Sequence, residues 1–320
     1  MKNILKLIFL GVVLTFPLST FLATGIVEGS TILSAPPTPS ESPQAMPLGE
    51  LLENKVGALS VDISDRETSR IFYHWNYEWP AQPGISWTGN VAGCDAGDTA
   101  AAFKDAVLLR VNYFRAMAGV PGDITFSSVR CQKAQKAALM MSRNNELNHN
   151  PPSSWPCYTD DGYDGASHSN LSLNSYGWNA ISSYMKDSGE HNTDVAHRRW
   201  ILDPTTQVMG TGDIPGGSGY QSTNVLWVID DPHPRPTTRE EYVAWPPPGF
   251  VPYQVVYPRW SFSYAGADFT SAGVSVTKDG TNVPVTIIAR NGGWGNLPWY
   301  GALMAYHLAG PSLPLMSATM

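Results

Sequence analysis

Three side chains in this 320-residue sequence could act together on a ligand: His149, Asp187 and His197. His149 and Asp187 each lie at the end of a segment with helical periodicity, and His197 opens the run HRRWILDP. Each could therefore face a cleft. Two imidazoles and a carboxylate that meet in a cleft can bind zinc or another divalent metal, or act as general acid and base. The residue types thus predict a ligand or metal site, or an acid–base site.

The spacing leaves a structural alternative open. His149 and His197 are far apart in the chain, and there is no H-E-x-x-H motif to bring two imidazoles onto one helix. Histidines also make many purely structural hydrogen bonds, so each ring could instead cap a helix or satisfy a loop carbonyl. His191 is a further candidate of the same kind. No G-x-S-x-G motif is present, so the pattern does not predict a serine nucleophile at a strand–helix turn.

Three predicted helices must position these side chains. The first spans residues 98–119, ends at Gly119, and carries an apolar stripe at helical spacing, Phe103, Val107, Val111 and Phe114. The second spans residues 127–147, and its stripe is Cys131, Ala134, Ala138 and Met141. His149 and two prolines follow it directly. The third covers residues 176–187, so that Asp187 lies at its end.

The segments between and after the helices complete an α+β pattern. Residues 58–97 alternate and are rich in aromatic residues, which predicts short strands and loops. Residues 151–176 form a long polar loop. Residues 208–211 and 225–229 are predicted core strands, and all of 98–231 forms one domain. A proline-rich connection and a β module follow over 232–290, with a hairpin around Asp279-Gly280. The last residues, 291–320, have little pattern and predict an irregular tail.

Composition and charge exclude some classes of function. The formal net charge is −7, and no basic run of five or more residues occurs. Nucleic-acid binding requires a cationic surface for the phosphates, so we expect no nucleic-acid partner. The apolar content of 42% is sufficient for a substantial core.

The N-terminus predicts export. Lys2 and Lys6 precede an almost wholly apolar run over residues 4–22, and small residues follow. This is typical of a signal peptide over residues 1–29, cleaved near Ala23 or Gly29; an uncleaved anchor helix is the alternative. Residues 30–57 are rich in Pro, Ser and Thr and predict a disordered linker. After signal removal we expect no integral membrane role, and a secreted, periplasmic or cell-surface location.

The three cysteines predict one disulfide and one free thiol. Cys94 and Cys157 lie in loops rich in Gly and Pro, and an exported chain sits where disulfides persist. We therefore expect these two to pair. Cys131 belongs to the apolar stripe of the second helix, which predicts a buried thiol.

Several stretches resemble the CAP superfamily (cysteine-rich secretory, antigen 5 and pathogenesis-related type) in a bacterial-type form. They are VNYFRAMAGVP, AQKAALMMSRNNELNHNPP, SNLSLNSYG and AHRRWILDP followed by MGTG, within residues 98–231. The resemblance implies an α-β-α sandwich with a central cleft lined by two histidines and two acidic residues, where some members bind zinc. The segment 250–288 resembles the Ig-like C-terminal part of larger bacterial members.

The resemblance assigns four residues to the cleft. His149 matches the first family histidine and His197 the second. Asp187 falls near the position of one family glutamate, with one carbon less reach. Ser169, before Asn170, stands where the family has its other glutamate, which removes one carboxylate and should weaken metal binding.

Three functions follow as hypotheses. The first is an exported CAP protein whose cleft binds a small molecule, a lipid or a divalent metal without defined catalysis. The second is a metal-assisted hydrolase resembling a peptidase, in which the imidazoles hold a metal-bound water. The third is a cell-surface adhesion protein that binds a partner through its β module and aromatic loops. Of these the sequence favours the first.

Overall fold

A computed structural model describes residues 32–35, 58–217 and 219–290, together with the backbones of 302–308 and 317–319. The predicted signal peptide lies outside the described residues. The helices of the described part are α1 (Arg66–Tyr73), α2 (Ala101–Ala118), α3 (Ser128–Asn144), α4 (Asp160–Ser167), α5 (Trp178–Lys186) and α6 (Ala196–Ile201). No helix among these residues is both long and apolar enough to cross a membrane.

A five-stranded sheet forms the centre of the molecule. Its strands are β1 (Ile32–Ser34), β2 (Thr125–Phe126), β3 (Ser169–Leu173), β4 (Val208–Ile214) and β5 (Thr223–Trp227). Their order is β1-β3-β5-β4-β2, and the neighbours are antiparallel except for the parallel pair β2 and β4. The predicted strands at 208–211 and 225–229 correspond to β4 and β5.

Helices cover both faces of this sheet, as an α-β-α sandwich requires. Side chains alternate between the faces along each strand. Leu226 of β5 belongs to the core formed with α2, α5 and α6, whereas its neighbour Val225 belongs to the core formed with α3 and α4. The fold class predicted from the sequence, α+β with an α-β-α sandwich, is confirmed.

Glycines on β4 bring α3 close to the sheet. A Cβ atom on Gly210 would lie 2.6 Å from the carbonyl carbon of Arg130, and one on Gly212 would overlap the backbone of Ala134. Both helix residues lie on α3, so a side chain at either glycine would push this helix outward. The helix that leads to His149 is thus packed tightly onto β4.

The ends of α2 and α3 agree with their sequence signals. Gly119 follows α2 in the left-handed conformation, with φ of 79°, which glycine adopts without a steric penalty. The hydroxyl of Ser127 accepts from the N–H of Arg130 and caps α3. Both predicted helices are confirmed, with ends shifted by a few residues.

Residues 58–97 differ from the prediction of strands and loops. Helix α1 and a π-helical turn (His74–Glu78) lie within this segment. The aromatic residues favour strands by propensity, but Asp65 caps the helix by accepting from the N–H of Thr68. Phe72 and Tyr73 then pack into the main core. Capping and burial outweigh strand propensity here.

Two other segments also contain structure where the sequence predicted none. Residues 151–176, expected to be a loop, include α4 and β3, because Thr159 caps α4 and the mostly polar β3 is buried between β1 and β5. Residues 30–57, expected to be disordered, include the edge strand β1. The rest of that linker, 36–57, lies outside the described residues. The polar composition of these two segments gave no sequence signal for β1 or β3.

The C-terminal part contains two small sheets. Four strands, β6 (Tyr242–Trp245), β7 (Arg259–Tyr264), β10 (Val285–Arg290) and β11 (Ala302–Leu308), pair in the order β10-β11-β7-β6. Three others, β8 (Ser275–Lys278), β9 (Thr281–Val283) and β12 (Ser317–Thr319), pair in the order β12-β8-β9. An Ig-like module remains a prediction.

The predicted hairpin is present, but its second arm is divided. Asp279 and Gly280 have φ of 50° and 79°, the positive values that a two-residue hairpin turn of type I′ requires. Val283 ends β9, and after Pro284 the chain enters β10 of the other sheet. The prediction of an irregular tail is wrong for Ala302–Leu308, which pairs with β10 and β7. A strand that is hydrogen-bonded along both edges does not need an alternating polar and apolar sequence.

The cysteine prediction is confirmed. Cys94 and Cys157 form a disulfide across 63 residues of chain. Cys131 is free and buried, and desolvation raises the pKa of its thiol to about 11. The free thiol is therefore protonated at neutral pH.

Candidate functional site

His149 lies beyond the C-terminal end of α3, and both of its ring nitrogens are hydrogen-bonded. Nδ1 lies 2.8 Å from the carbonyl oxygen of Ala166. A carbonyl can only accept, so Nδ1 carries the proton and donates. Nε2 lies 2.7 Å from Oγ of Ser34 and, in this tautomer, accepts from the hydroxyl. The ring therefore presents an acceptor towards β1.

The surroundings of His149 hold its ring neutral. Desolvation by burial lowers its pKa to about 4, the bond to Ala166 opposes this shift, and the electrostatic influence of His197 adds to it. His149 and His197 thus lie within electrostatic range of each other. At neutral pH the Nε2 atom of His149 keeps its lone pair.

His197 lies on α6 and is held from two sides. Its Nδ1 is 2.8 Å from Oδ1 of Asp187, and both side chains are almost fully buried. The ring stacks on Tyr184 with centroids 5.6 Å apart and planes 9° from parallel. Its Nε2 is buried and has no hydrogen-bond partner among the described residues. A buried polar atom of this kind is costly unless a ligand or water bonds to it.

Asp187 fixes the orientation of His197. It caps the C-terminal end of α5 in the left-handed conformation, with φ of 51°, which Asp and Asn tolerate better than most residues. One carboxylate oxygen accepts from His197, and the other lies 3.2 Å from the N–H of Arg198. Arg259 of β7 donates to the Asp187 carbonyl oxygen. The β module thus braces the turn that carries this carboxylate.

Among the described residues, Ser169 and His191 form no hydrogen bond with Asp187 or His197. Ser169 is fully buried, and its hydroxyl donates to the carbonyl of Gly165 at 2.5 Å, so it fastens β3 to α4. His191 is exposed. Of the four cleft residues implied by the resemblance, Asp187 and His197 are in direct contact, and His149 interacts electrostatically with His197.

Asn170 is a site residue that sequence reasoning missed. Its Nδ2 donates to the His197 carbonyl oxygen at 3.1 Å, and its Oδ1 is buried without a hydrogen-bond partner in the described residues. Its own carbonyl accepts from the hydroxyl of Tyr184. The signal was present in the sequence, since Asn170 directly follows Ser169 in the motif that resembles the family.

Comparison with known families bears on this geometry. Residues 108–230 match the model of the Cysteine-rich secretory protein family, CAP. The chain therefore contains a CAP domain over these residues. The matched range contains all the residues of the candidate site, from His149 to His197. Comparisons with curated proteins and with solved structures gave no significant match.

The CAP domain of this chain does not supply a full zinc site within the residues that the structure describes. Catalytic zinc uses three protein ligands, and no group of three His, Cys, Asp or Glu side chains is suitably placed in the described ranges. Ser169 occupies the position implied for a carboxylate, and Asp187 is engaged by His197 Nδ1. The remaining donors are two imidazoles, fewer than the three protein ligands of a catalytic zinc.

The partly buried ring of His149 predicts acid-sensitive stability of the CAP domain. Its pKa is about 4 when folded, against an ordinary 6.5, so between these values the unfolded chain binds more protons. The stabilisation is complete above pH 6.5 and is lost as the pH falls towards 4. This difference corresponds to at most about 3 kcal/mol.

Denaturant unfolding at pH 7, 6, 5 and 4 measures this loss. We expect His149→Gln to show a shallower decline of the free energy of unfolding than the parent chain over that range. Parallel curves for the two proteins would show that another group causes the acid sensitivity.

Proposed function

We propose that this chain is an exported CAP-domain protein that binds a small ligand bearing hydroxyl or amino groups at the site of His149 and His197. The observation that carries the proposal is the buried, unpartnered Nε2 of His197, among the described residues, with Nδ1 fixed by Asp187. In the neutral ring, a proton on Nδ1 leaves the lone pair on Nε2. Such an atom accepts a hydrogen bond from a ligand donor.

The neighbouring imidazole supports the same ligand chemistry. His149 Nε2 already accepts a hydroxyl hydrogen bond, from Ser34. A hydroxyl or amine can donate to either ring, whereas a carboxylate or phosphate without protons cannot. The site therefore favours neutral or cationic ligands that carry donors, including the polar head of a lipid.

Export is supported by two independent features. The N-terminal run of positive, apolar and small residues is typical of a signal peptide. The disulfide between Cys94 and Cys157 is of a kind that persists in oxidising compartments. The metal-assisted hydrolase and the cell-surface adhesion protein stay predictions, and the pair of imidazoles favours binding over metal-assisted hydrolysis.

Saturation-transfer NMR of the full chain with ethanolamine, glycerol and glucosamine tests the proposal. We expect at least one of these probes to bind, and His197→Gln to weaken its binding by tenfold or more, since one hydrogen bond to a buried group is lost. His233→Gln is the matched control, because that ring contacts Asp230. Absence of binding by all three probes, or equal binding to both variants, would contradict the proposed ligand chemistry.

A further inference from the structure

Strand β1 is a short segment docked on the edge of the central sheet. Ile32, Leu33 and Ser34 pair antiparallel with Leu173, Ser172 and Leu171 of β3, respectively. In the strand order, β1 lies outside β3 and makes the last pairing on that side. Residues 36–57 separate it from Ala58, where the described part of the chain resumes. We call residues 32–35 the docked segment.

Both faces of the docked segment make contacts with the rest of the domain. Leu33 and Ala35, which share one face because strand side chains alternate, pack against the core formed with α2 and α5. Ser34 points to the opposite face, where its Oγ lies 2.7 Å from Nε2 of His149. Backbone pairing, an apolar face and one specific side-chain contact are the three components of peptide binding by strand addition.

His149 selects the residue at this position. Its Nδ1 donates to Ala166, so Nε2 is an acceptor and requires a donor on the strand. The acceptor faces the position paired with Leu171, and Ser34 fills it with a hydroxyl. Threonine offers the same donor, whereas alanine removes it and leaves only backbone groups of the docked segment beside the ring. The contact therefore distinguishes a hydroxyl residue from an apolar one.

We propose that the edge of β3 and His149 form a binding site for an extended peptide with serine or threonine opposite Leu171, and that the docked segment occupies this site in cis. The proposal goes beyond the small-ligand function: it shares His149 with that site but uses neither Asp187 nor the Nε2 atom of His197. A peptide supplied by another molecule would displace the docked segment and take its place against His149.

Because the docked segment already occupies the site in the intact protein, peptide affinity has to be measured on a chain in which this segment is weakened. A segment joined to the domain by the same chain is present at a high effective concentration, so the intact protein should bind a free peptide weakly. The test therefore uses the full chain with four substitutions that keep its length, Ile32→Gly, Leu33→Ser, Ser34→Gly and Ala35→Ser. The probe is a fluorescent peptide with the sequence of residues 30–36, STILSAP.

Fluorescence anisotropy should show saturable binding of the peptide to the substituted chain, at least tenfold tighter than to the intact chain. A peptide with Ser34→Ala should bind about tenfold more weakly than the parent peptide, because the hydrogen bond to His149 is lost. Hydrogen exchange of β3 should rise in the substituted chain and fall again when the peptide is added. Failure of the folded substituted chain to bind, or equal binding of the two peptides, would overturn the proposal.

A second variant keeps the test decisive if the four substitutions prevent folding. Ser34→Ala in the full chain weakens the occupant in cis by one contact only. We expect the parent peptide to bind this variant about tenfold more tightly than it binds the intact chain. Unchanged peptide affinity in folded Ser34→Ala would refute the assigned contact between the docked segment and His149.

Discussion

Replacing Arg115 by Met is expected to lower the free energy of unfolding by about 4 kcal/mol or more. Arg115 lies on α2 and is fully buried. Its guanidinium donates at 2.8 to 3.1 Å to four backbone carbonyl oxygens, those of Pro121, Ile201, Asp203 and Thr206. Methionine fills a similar volume without donors, and each buried acceptor left unpaired costs about 1–3 kcal/mol.

The charge of Arg115 persists despite its burial. Desolvation lowers its pKa to about 10, which still leaves the side chain protonated at neutral pH. Three of its four acceptors belong to residues 201–206, at and directly after the C-terminal end of the helix that carries His197. The same substitution should therefore loosen α6 as well as destabilise the domain.

Denaturant unfolding of Arg115→Met at neutral pH gives the magnitude. Arg70→Met is the matched control, because Arg70 is exposed and contacts Glu67 and His74 in the neighbouring turns; exposed ion pairs contribute little to stability. Similar losses for the two variants would show that the carbonyl contacts of Arg115 contribute little to stability.

Asp187→Ala is the other substitution with a large expected effect, about 3–5 kcal/mol of destabilisation together with loss of ligand binding. The carboxylate is fully buried and bonds to Nδ1 of His197 and the N–H of Arg198. Alanine removes the carboxylate acceptor of both donors in the interior. It also removes a residue type that accepts the left-handed conformation at the end of α5.

Asp187→Asn removes the negative charge of the side chain but keeps its shape, so it tests the two contributions separately. Asparagine keeps an oxygen acceptor for His197 and tolerates positive φ, so we expect it to lose less than half as much stability as alanine. Thermal unfolding of the two variants, with probe binding measured on each, makes the comparison. If Asp187→Ala retained both its stability and its binding of the probe, Asp187 would not position His197.

The helical core was predictable because its signals are local. The stripe from Phe103 to Phe114 and the glycine at 119 act through periodicity and backbone conformation, which a single sequence displays. The pairing of Cys94 with Cys157 was predictable because both lie in loops, whereas the third cysteine, Cys131, lies in an apolar helical stripe. These inferences needed no knowledge of distant contacts.

The edge strands were not predictable, since their stability comes from tertiary pairing. Ile32–Ser34 lies in a segment of disordered composition, and it forms a strand only because β3 offers a partner. Ser169–Leu173 is mostly polar, yet it is fully buried in the sheet. Propensity is a weak guide where backbone pairing and burial determine the structure.

The site was half predictable for a related reason. Helix ends and the family resemblance together pointed to His149, Asp187 and His197, and the structure brings Asp187 and His197 into contact. Sequence spacing could not show that Ser169 would bond to Gly165, or that Ser34 would reach His149. Those contacts depend on how β1 and α4 flank β3.

The most direct test of the account is the pKa of His149 measured by NMR in the parent chain and in His197→Gln. Because burial and His197 both lower this pKa, we expect a value of about 4 in the parent and a higher value in His197→Gln, with no change in His233→Gln. The same pKa in all three proteins would show that His149 and His197 do not share a site, and an ordinary value near 6.5 in the parent would show that the ring of His149 is not desolvated.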